Sequence, residues 1–234
     1  MAIIGIVTGL AAERDCLACF PLADRPAVRV AGAKADRAAA AARELIRTGA
    51  QGLISFGIAG GLAPQLGAGT IVLADRVIDA RGRTLLADQA WRERLTARLA
   101  HGHRLVAGPI VGSDHAIASP DEKAALARST GALAVDMESH AVAEAAARLG
   151  VPFLVIRAIA DAALRTVPAW LAGVIDAEGR PRFSVVAAGL LAHPSDVVAL
   201  IALGRASTRA LAALRRLALD AGPSFGFAPD SPGR

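Results

Sequence analysis

Two stretches decide the fold class of this 234-residue chain: Val135-Asp136-Met137-Glu138-Ser139-His140-Ala141 and Phe153-Leu154-Val155-Ile156-Arg157-Ala158-Ile159-Ala160-Asp161. In the first, a short apolar strand delivers Glu138 to the start of a helix. In the second, an apolar strand ends at Asp161. If the two strands are neighbours in one sheet, both carboxylates emerge at the same rim. That rim is where α/β sheets bind ligands and where a carboxylate pair performs acid/base chemistry.

The same alternation of strands and helices extends outward from these stretches, from residue 2 to about residue 165. Short apolar, β-branched segments predict strands, and Ala-rich segments predict helices. The predicted strands are 2–8, 27–31, 52–56, 70–77, 105–111, 132–135 and 152–159, and the predicted helices are 11–20, 34–47, 88–101, 120–129 and 137–149. This order indicates an α/β fold, a three-layer α/β/α domain with a central mixed, largely parallel sheet.

The C-terminal part of the chain has a different pattern. After a looser stretch, 163–182, two helical segments at about 183–192 and 195–220 complete a single domain of residues 1–220. Leucines form one stripe of the second segment and arginines occupy another face. This is typical of a helix packed on the sheet or on a partner subunit, and the alternative is a membrane-surface element. Residues 221–234 are rich in Pro, Gly and Ser and are expected to form a flexible tail.

Composition narrows the classes of function. Hydrophobic residues make up 54% of the chain and aromatic residues only 3%, so Ala and Leu fill a large core. The net charge of +5 comes from dispersed arginines. No basic run alternates with aromatic residues, which disfavours a nucleic-acid partner. Three explanations of the positive charge remain, namely a solvated Arg-rich surface, contact with an anionic membrane and contact with phosphate.

The location and the metal content are also predicted from sequence. The N-terminus lacks the basic start of a signal peptide, and no apolar run reaches the roughly 18–20 residues of a membrane span. Cys16 and Cys19 are the only cysteines, and a zinc site would need two further ligands at suitable spacing. We therefore expect free thiols, no metal and a cytoplasmic protein.

Three further segments bring polar groups to predicted strand ends. Glu13 follows the first strand by one turn, where on its own it is an ordinary acid of a first helical turn. Gly57-Ile58-Ala59-Gly60-Gly61 is either a ligand cradle or a plain turn, since its spacing is not that of the dinucleotide fingerprint. Ser113-Asp114-His115 follows another strand. Asp136 belongs to the site or caps the helix that follows it.

Taken together, these segments resemble the purine nucleoside phosphorylase and nucleosidase superfamily over residues 2–162. The resemblance rests on five motifs in the same order, which are Gly5-Ile6-Val7 followed by Glu13, Gly57 to Leu62, Ser113-Asp114, Val135 to Glu138, and Pro152 to Asp161. Among its members, the chain is similar to the methylthioadenosine/S-adenosylhomocysteine nucleosidases. The charged, Ala/Leu-rich C-terminal helices resemble the hopanoid-associated phosphorylase branch.

The resemblance implies a role for each site residue. Asp161 is the implied general acid, which protonates N7 of the leaving purine, and burial suits this role by raising a carboxyl pKa. Glu13 orients or deprotonates the attacking water, and Glu138 accepts the ribose 2′- and 3′-hydroxyl protons. These carboxylates also stabilise an oxocarbenium-like sugar. The other implied substrate-binding residues are Met137, Asp136, Ile58, Ala59, Gly60, Ile117 and Phe153.

Several positions depart from the family pattern. Ala160 replaces the serine before the general acid, so a hydrogen bond that orients Asp161 is missing. Ala116 replaces an aromatic residue beside the base, and Ile58 stands where nucleosidases often have Ser or Thr. Phe56 occupies the place of a phosphate-binding arginine, which favours water over phosphate as the nucleophile. If phosphate is the nucleophile, Arg14 is the candidate ligand.

The sequence therefore predicts an enzyme that cleaves the N-glycosidic bond of a 5′-substituted adenosine, adenosylhopane in hopanoid biosynthesis, and releases adenine. The C-terminal helices, with Trp170 and Leu171 before them, are expected to form an apolar channel for a 5′ lipid. The alternatives are a phosphate-dependent phosphorylase, a methylthioadenosine/S-adenosylhomocysteine nucleosidase and a non-catalytic nucleoside- or lipid-binding protein. No cofactor is implied unless phosphate is a co-substrate. A homo-oligomer of two or more chains and peripheral membrane contact are further expectations.

Overall fold

The structure, a computed structural model, describes residues 4–99, 102–171 and 173–228. Within these residues, eight strands form one sheet: Ile4–Thr8 (β1), Ala27–Val30 (β2), Gly52–Gly61 (β3), Ile71–Ile78 (β4), Thr84–Leu86 (β5), Leu105–Gly112 (β6), Ala134–Asp136 (β7) and Phe153–Asp161 (β8). The α-helices are Ala11–Cys16 (α1), Ala35–Arg47 (α2), Gln89–Arg98 (α3), Pro120–Thr130 (α4), Ser139–Arg148 (α5), Phe183–Ala192 (α6) and Val197–Ala221 (α7). Only the short strand β5 was not anticipated from the sequence.

The sheet is organised around β3. This strand pairs in parallel with β1 and β8, and its last residues pair with β7 in antiparallel orientation. β8 also pairs with β4 in antiparallel orientation, while β4 and β6, and β6 and β7, are parallel pairs. The strands β3, β8, β4, β6 and β7 thus close into a ring. The prediction of an α/β fold with a mixed, largely parallel sheet is confirmed.

The glycine-rich segment 57–61 is part of β3, which corrects the prediction of a turn. Residues up to Gly60 pair with β8, while Gly60 also pairs with Val135 of β7 and Gly61 pairs with Ala134 of β7. The register with β8 shifts between Ala59 and Gly60. Glycines in a strand allow such a bend because no side chain obstructs the neighbouring backbone. A pattern that resembles a turn in the sequence therefore marks the place where one strand changes partners.

Helices cover both faces of the sheet. On one face, α2 packs against α5. On the other, α7 packs against β8, β3 and α1 through buried residues that include Ala206, Ala210, Leu214 and Leu217. Alanine at the contact lets a helix approach the sheet closely, as the low aromatic content predicted. In contrast, α6 has no buried residue.

The segment after α7 is packed on the core as far as Phe227, contrary to the flexible tail predicted for 221–234. Phe225 is fully buried, and its ring makes edge-to-face contacts with Phe20 and Phe56. Phe227 packs on Trp91, whose Nε1 donates a 2.8 Å hydrogen bond to the Phe225 carbonyl oxygen. The Pro, Gly and Ser content of this segment predicted flexibility, but its two phenylalanines, Phe225 and Phe227, anchor it to the core. Residues 229–234 lie outside the described residues.

Candidate active site

A cavity of about 310 Å³ opens where β3, β7 and β8 end. The strand register brings these ends together, because Gly60 of β3 pairs with Asp161 of β8 on one side and with Val135 of β7 on the other. The sequence suggested that β7 and β8 are neighbours. In the structure they instead lie on either side of β3. Nine of the ten predicted site residues line the cavity, namely Glu13, Ile58, Ala59, Gly60, Ile117, Asp136, Met137, Glu138 and Asp161.

Glu13 is buried in the first turn of α1 and is held by backbone donors from two elements. Its Oε2 accepts hydrogen bonds of 2.8 Å from the N–H groups of Gly9 and Leu10, and its Oε1 accepts one of 2.8 Å from the N–H of Ile58. A methyl group on Gly57 would lie only 2.5 Å from Oε1. Burial raises the pKa of Glu13, although Arg157 and the three N–H donors act against this rise. A buried carboxyl of this kind suits proton transfer near neutral pH.

Glu138 lies at the N-cap of α5 and is also buried. The backbone of the turn after β1 approaches it closely, and a methyl group on Gly9 would lie 2.5 Å from its Oε1. Burial raises the pKa of Glu138 to about 8. The negative charges of Asp136 and Glu13 add to the rise, and Arg157 opposes it. Burial thus favours the neutral form of Glu138, and the nearby Arg157 favours its carboxylate.

A fully buried arginine, Arg157 of β8, lies behind these carboxylates. Its guanidinium forms an ion pair with Asp136, donates a 2.7 Å hydrogen bond to Ser55 Oγ and lies 3.7 Å from Glu138 Oε2. Asp136 also accepts hydrogen bonds from the N–H and hydroxyl of Ser139 at the start of α5. Both oxygens of Asp136 thus hold the β7–α5 junction. Asp136 lines the cavity, but its carboxylate acts as the helix cap, which was one of the two readings of its sequence.

Asp161 is paired with a lysine that the sequence reasoning missed. Lys123 is fully buried in the first turn of α4, and its Nζ forms an ion pair with Asp161 Oδ2. It also donates to the carbonyl oxygens of Ala162 (3.2 Å) and Arg165 (2.8 Å). The other oxygen, Oδ1, is buried without a hydrogen-bond partner among the described residues. An unpaired buried oxygen in a cavity wall is a ready partner for a polar ligand atom.

Two opposing effects set the pKa of Asp161. Burial raises the pKa, and the positive charges of Lys123 and Arg165 limit the rise. The start of α4 fixes Lys123, since Ser119 Oγ accepts a 3.2 Å hydrogen bond from the N–H of Glu122 in a capping box. The hydrogen bond to Asp161 that Ala160 of β8 cannot provide thus comes from Lys123 of helix α4.

Four predicted contributions to the site were wrong. Phe153 is a buried core residue at the opposite end of β8, about 26 Å from Asp161 at the strand rise of 3.3 Å per residue. Arg14 lies outside the cavity and pairs with Asp15 at 2.7 Å. Trp170 and Leu171 do not line the cavity either. Trp170 instead packs against α6, where a methyl group on Gly189 would collide with its ring.

Of the two residues that were missed, only one had a signal in the sequence. Arg157 interrupts an otherwise apolar strand, and a cation in such a strand must be paired when it is buried. Lys123 follows Asp121 and Glu122 and resembles a solvated helix residue. Its burial depends on contacts with residues 161–165, which are distant in the sequence.

The family was then established by comparison with known proteins. A model of the Phosphorylase superfamily matches residues 23–192, most of the chain. The chain belongs to this superfamily. A curated 5′-methylthioadenosine/S-adenosylhomocysteine nucleosidase of Mycobacterium tuberculosis is 31% identical over a match that covers 50% of the chain and 61% of the relative. The chain thus spans about three fifths of the length of the curated relatives it matches.

Solved structures extend the likeness in fold to nearly the whole chain. The 5′-methylthioadenosine/S-adenosylhomocysteine nucleosidase of Neisseria meningitidis, in complex with methylthio-immucillin-A, has a TM-score of 0.72 at 19% identity and covers 97% of this chain and 100% of its own. The futalosine hydrolase of Helicobacter pylori has a TM-score of 0.70 at 16% identity and covers 93% of this chain and 95% of its own. At these identities, the likeness establishes the nucleoside phosphorylase-like fold.

Proposed function

We propose that this superfamily member cleaves the N-glycosidic bond of a 5′-substituted adenosine and releases adenine, with adenosylhopane as the substrate. One observation carries the reaction class: four buried carboxyl groups line a single cavity, and three of them, Glu13, Glu138 and Asp161, do not cap α5 through the side chain as Asp136 does. The curated relatives named as methylthioadenosine/S-adenosylhomocysteine nucleosidases support the same class of substrate. A different task is proposed for each of these three carboxyl groups.

Asp161 is the proposed general acid. A purine anion is a poor leaving group, so a proton must reach N7 as the glycosidic bond breaks. The unpaired Oδ1 is free to bond to N7, while Lys123 holds Oδ2. When Asp161 has given up its proton, Lys123 stabilises the carboxylate that remains. The ion pair therefore favours the product side of the proton transfer.

Glu138 and Glu13 act on the sugar and on the water. As a carboxylate, Glu138 accepts hydrogen bonds from the ribose 2′- and 3′-hydroxyls, and Met137 packs on the sugar. Glu13, held by the N–H groups of Leu10 and Ile58, takes a proton from the attacking water. Negative charge on these groups stabilises the oxocarbenium-like sugar as the bond breaks.

The nucleophile that the cavity favours is water. No arginine or lysine is among the described residues that line it, and the two nearby buried cations, Arg157 and Lys123, are engaged by Asp136 and Asp161. Phosphate bound without a cation would be costly to desolvate. This arrangement supports hydrolysis over phosphorolysis.

An apolar wall supports a large substituent at the 5′ position. Val167 and Ile175, from the stretch between β8 and α6, line the cavity together with Leu203 of α7. Such a wall accepts a hydrocarbon, and these three side chains offer no partner for a charged group. This supports adenosylhopane as the substrate, because its 5′ substituent is a hydrocarbon, over S-adenosylhomocysteine, whose substituent carries an amino acid.

A panel of nucleosides tests the proposal. The protein is incubated with adenosylhopane, methylthioadenosine, S-adenosylhomocysteine and inosine, with and without phosphate, and free base is quantified by chromatography. We expect adenine from adenosylhopane without added phosphate, and a decrease of about 10²- to 10⁴-fold in Asp161→Asn. The exposed variant Asp24→Asn serves as the control for a change from Asp to Asn.

Three results would overturn parts of this proposal. Strict dependence on phosphate would replace hydrolysis by phosphorolysis. Cleavage of methylthioadenosine without cleavage of adenosylhopane would remove the hopanoid assignment. If the parent protein and Asp161→Asn bind nucleoside equally well by calorimetry and neither releases base, the protein is a non-catalytic binding protein.

A further inference from the structure

A group of exposed apolar side chains lies on α6 and the first turns of α7. We define the hairpin as residues 183–204. Five of the ten large hydrophobic side chains exposed among the described residues belong to it: Phe183, Leu191, Val197, Val198 and Ile201. Leu191 is 86% exposed and Phe183 is 78% exposed. A single exposed leucine is ordinary, but five such side chains on one short segment indicate an interaction surface.

The hairpin is ordered by contacts on its inner side. Trp170 Nε1 donates a 2.8 Å hydrogen bond to Asp196 Oδ2, and the Trp170 ring stacks on His193. Gly189 allows this ring to approach α6 closely. Asp196 is the only acidic residue of the hairpin, and this bond ties it to the inner side. The apolar side chains of the outer side are therefore held in place by the contacts of the inner side.

Arginines flank the hairpin at both ends. Arg180 and Arg182 precede α6, and Arg205 and Arg209 continue the exposed face of α7 beyond Ile201. All four are exposed, and none forms an ion pair with an acidic residue in the part of the chain that the structure describes. An apolar surface bordered by unpaired cations is complementary to the surface of an anionic bilayer, where hydrocarbon lies below a layer of negative headgroups.

We propose that the hairpin docks the protein on anionic phospholipid membranes, with its apolar side chains at the acyl boundary and its arginines among the headgroups. A second copy of the chain is a poorer occupant. A two-fold contact would bring the same patch against itself, so the arginines of the two copies would face one another with little acidic charge to compensate.

The geometry of α7 determines the mode of contact. Residues Pro194–Ala221 form one helical stretch of 28 residues that is long and apolar enough to cross a membrane by length and composition alone. However, Ala206, Ala210, Leu214 and Leu217 are buried in the protein, so the second half of the helix is committed to the sheet. Only the first turns remain available to lipid. Contact at the bilayer surface, not insertion across it, fits this division.

Docking in this way would bring the cavity close to the membrane, because α7 contributes residues both to the cavity wall and to the exposed apolar face. Leu203 and Ser207 line the cavity, while Val198 and Ile201 belong to the exposed face. The contact itself does not depend on the proposed reaction, however, and can be measured without any nucleoside.

Vesicle flotation tests the proposal. The purified chain is mixed with vesicles of phosphatidylcholine alone or of phosphatidylcholine with phosphatidylglycerol, at low and high salt. We expect binding to the anionic vesicles that weakens with salt. Leu191→Asp/Ile201→Asp should reduce this binding at least tenfold, and Arg182→Glu/Arg205→Glu should reduce it and remove most of its dependence on salt. Leu86→Asp is the matched control, since Leu86 is 73% exposed on β5, between the exposures of Leu191 and Ile201, and lies outside the hairpin.

Absence of binding by the parent chain, or equal binding by Leu191→Asp/Ile201→Asp, would overturn the proposal. So would conversion of an oligomer to a monomer by this variant in light scattering, because a second copy would then cover the face. Thermal unfolding confirms that each variant is folded. Because no nucleoside is present, failure of membrane docking and failure of the proposed cleavage are read from separate experiments.

Discussion

At the scale of single residues, Lys123 and Asp161 form the interaction on which the proposed chemistry depends. The ion pair replaces a hydrogen bond that Ala160, without a hydroxyl, cannot make. It differs from such a bond in carrying a full charge, and a charge acts on the pKa of Asp161 as well as on its orientation. Lys123 is in this sense a positioning residue that also adjusts acidity.

This leads to a prediction for Lys123→Met. Without the ammonium group, the pKa of Asp161 rises further, so the alkaline limb of the kcat profile should move up by about one pH unit or more. Base release measured across a pH series checks this. Lys34→Met is the matched control, because Lys34 is the only other lysine and is exposed. A lower rate with an unmoved limb would assign Lys123 a merely structural role.

At the scale of elements, β3 positions Glu13 by leaving space for it. A methyl group on Gly57 would lie 2.5 Å from Oε1 of Glu13, too close for a side chain to fit. The next residue, Ile58, donates its N–H to the same oxygen. The glycine and the donor thus form a cradle in mid-strand. Its function requires the absence of a side chain, not an unusual backbone angle.

Gly57→Ala is therefore expected to displace the Glu13 carboxylate and to reduce kcat at least tenfold while the chain remains folded. Steady-state kinetics and thermal unfolding measure the two effects. Gly67→Ala is the matched control, since a methyl group there meets nothing within 4 Å. Equal activity of the two variants would contradict the cradle.

The C-terminal segment is a second element whose role follows from its packing. Phe225 is fully buried between Phe20 and Phe56, so Phe225→Ala should lower the free energy of unfolding by about 3–5 kcal/mol. Urea denaturation measures this loss. Leu219→Ala, at a position that is 54% exposed, should cost less than about 0.5 kcal/mol. A small loss in Phe225→Ala would mean that the segment is not docked in solution.

At the scale of the whole molecule, the buried acids make stability depend on pH. Glu138 titrates near 4.5 in the unfolded chain and near 8 in the folded protein. Between these values, the folded state binds more protons than the unfolded state. Stability from this group is therefore full below pH 4.5 and is lost as pH rises to about 8, by up to about 1.4 kcal/mol per pH unit.

Glu138→Gln should remove this dependence, since an amide does not titrate. We expect the variant to be more stable than the parent above pH 8, and the difference to shrink toward pH 5. Thermal unfolding between pH 5 and pH 9 measures it, with the exposed Glu178→Gln as the control. Parallel stability curves for the parent and Glu138→Gln would contradict the assigned pKa.

Much of this molecule could be predicted from local patterns. Apolar periodicity identified seven of the eight strands and the helices, and the alternation of strands and helices indicated the fold class. The motifs around Glu13, Glu138 and Asp161 identified most of the residues that line the cavity. These features can be predicted because the burial of one face of an element, and the end of a strand, each produce a recognisable pattern of apolar and polar residues within a few positions.

The remaining features depended on contacts between distant segments. β3 lies between β7 and β8, Phe153 faces the core far from the cavity, and Lys123 meets Asp161 across 38 positions of sequence. The sequence by itself determined the elements, the fold class and the acidic residues of the cavity. Only the tertiary structure decided which cation accompanies each acid, because desolvation and ion pairing act through space, and the local pattern around Lys123 is that of a solvated helix.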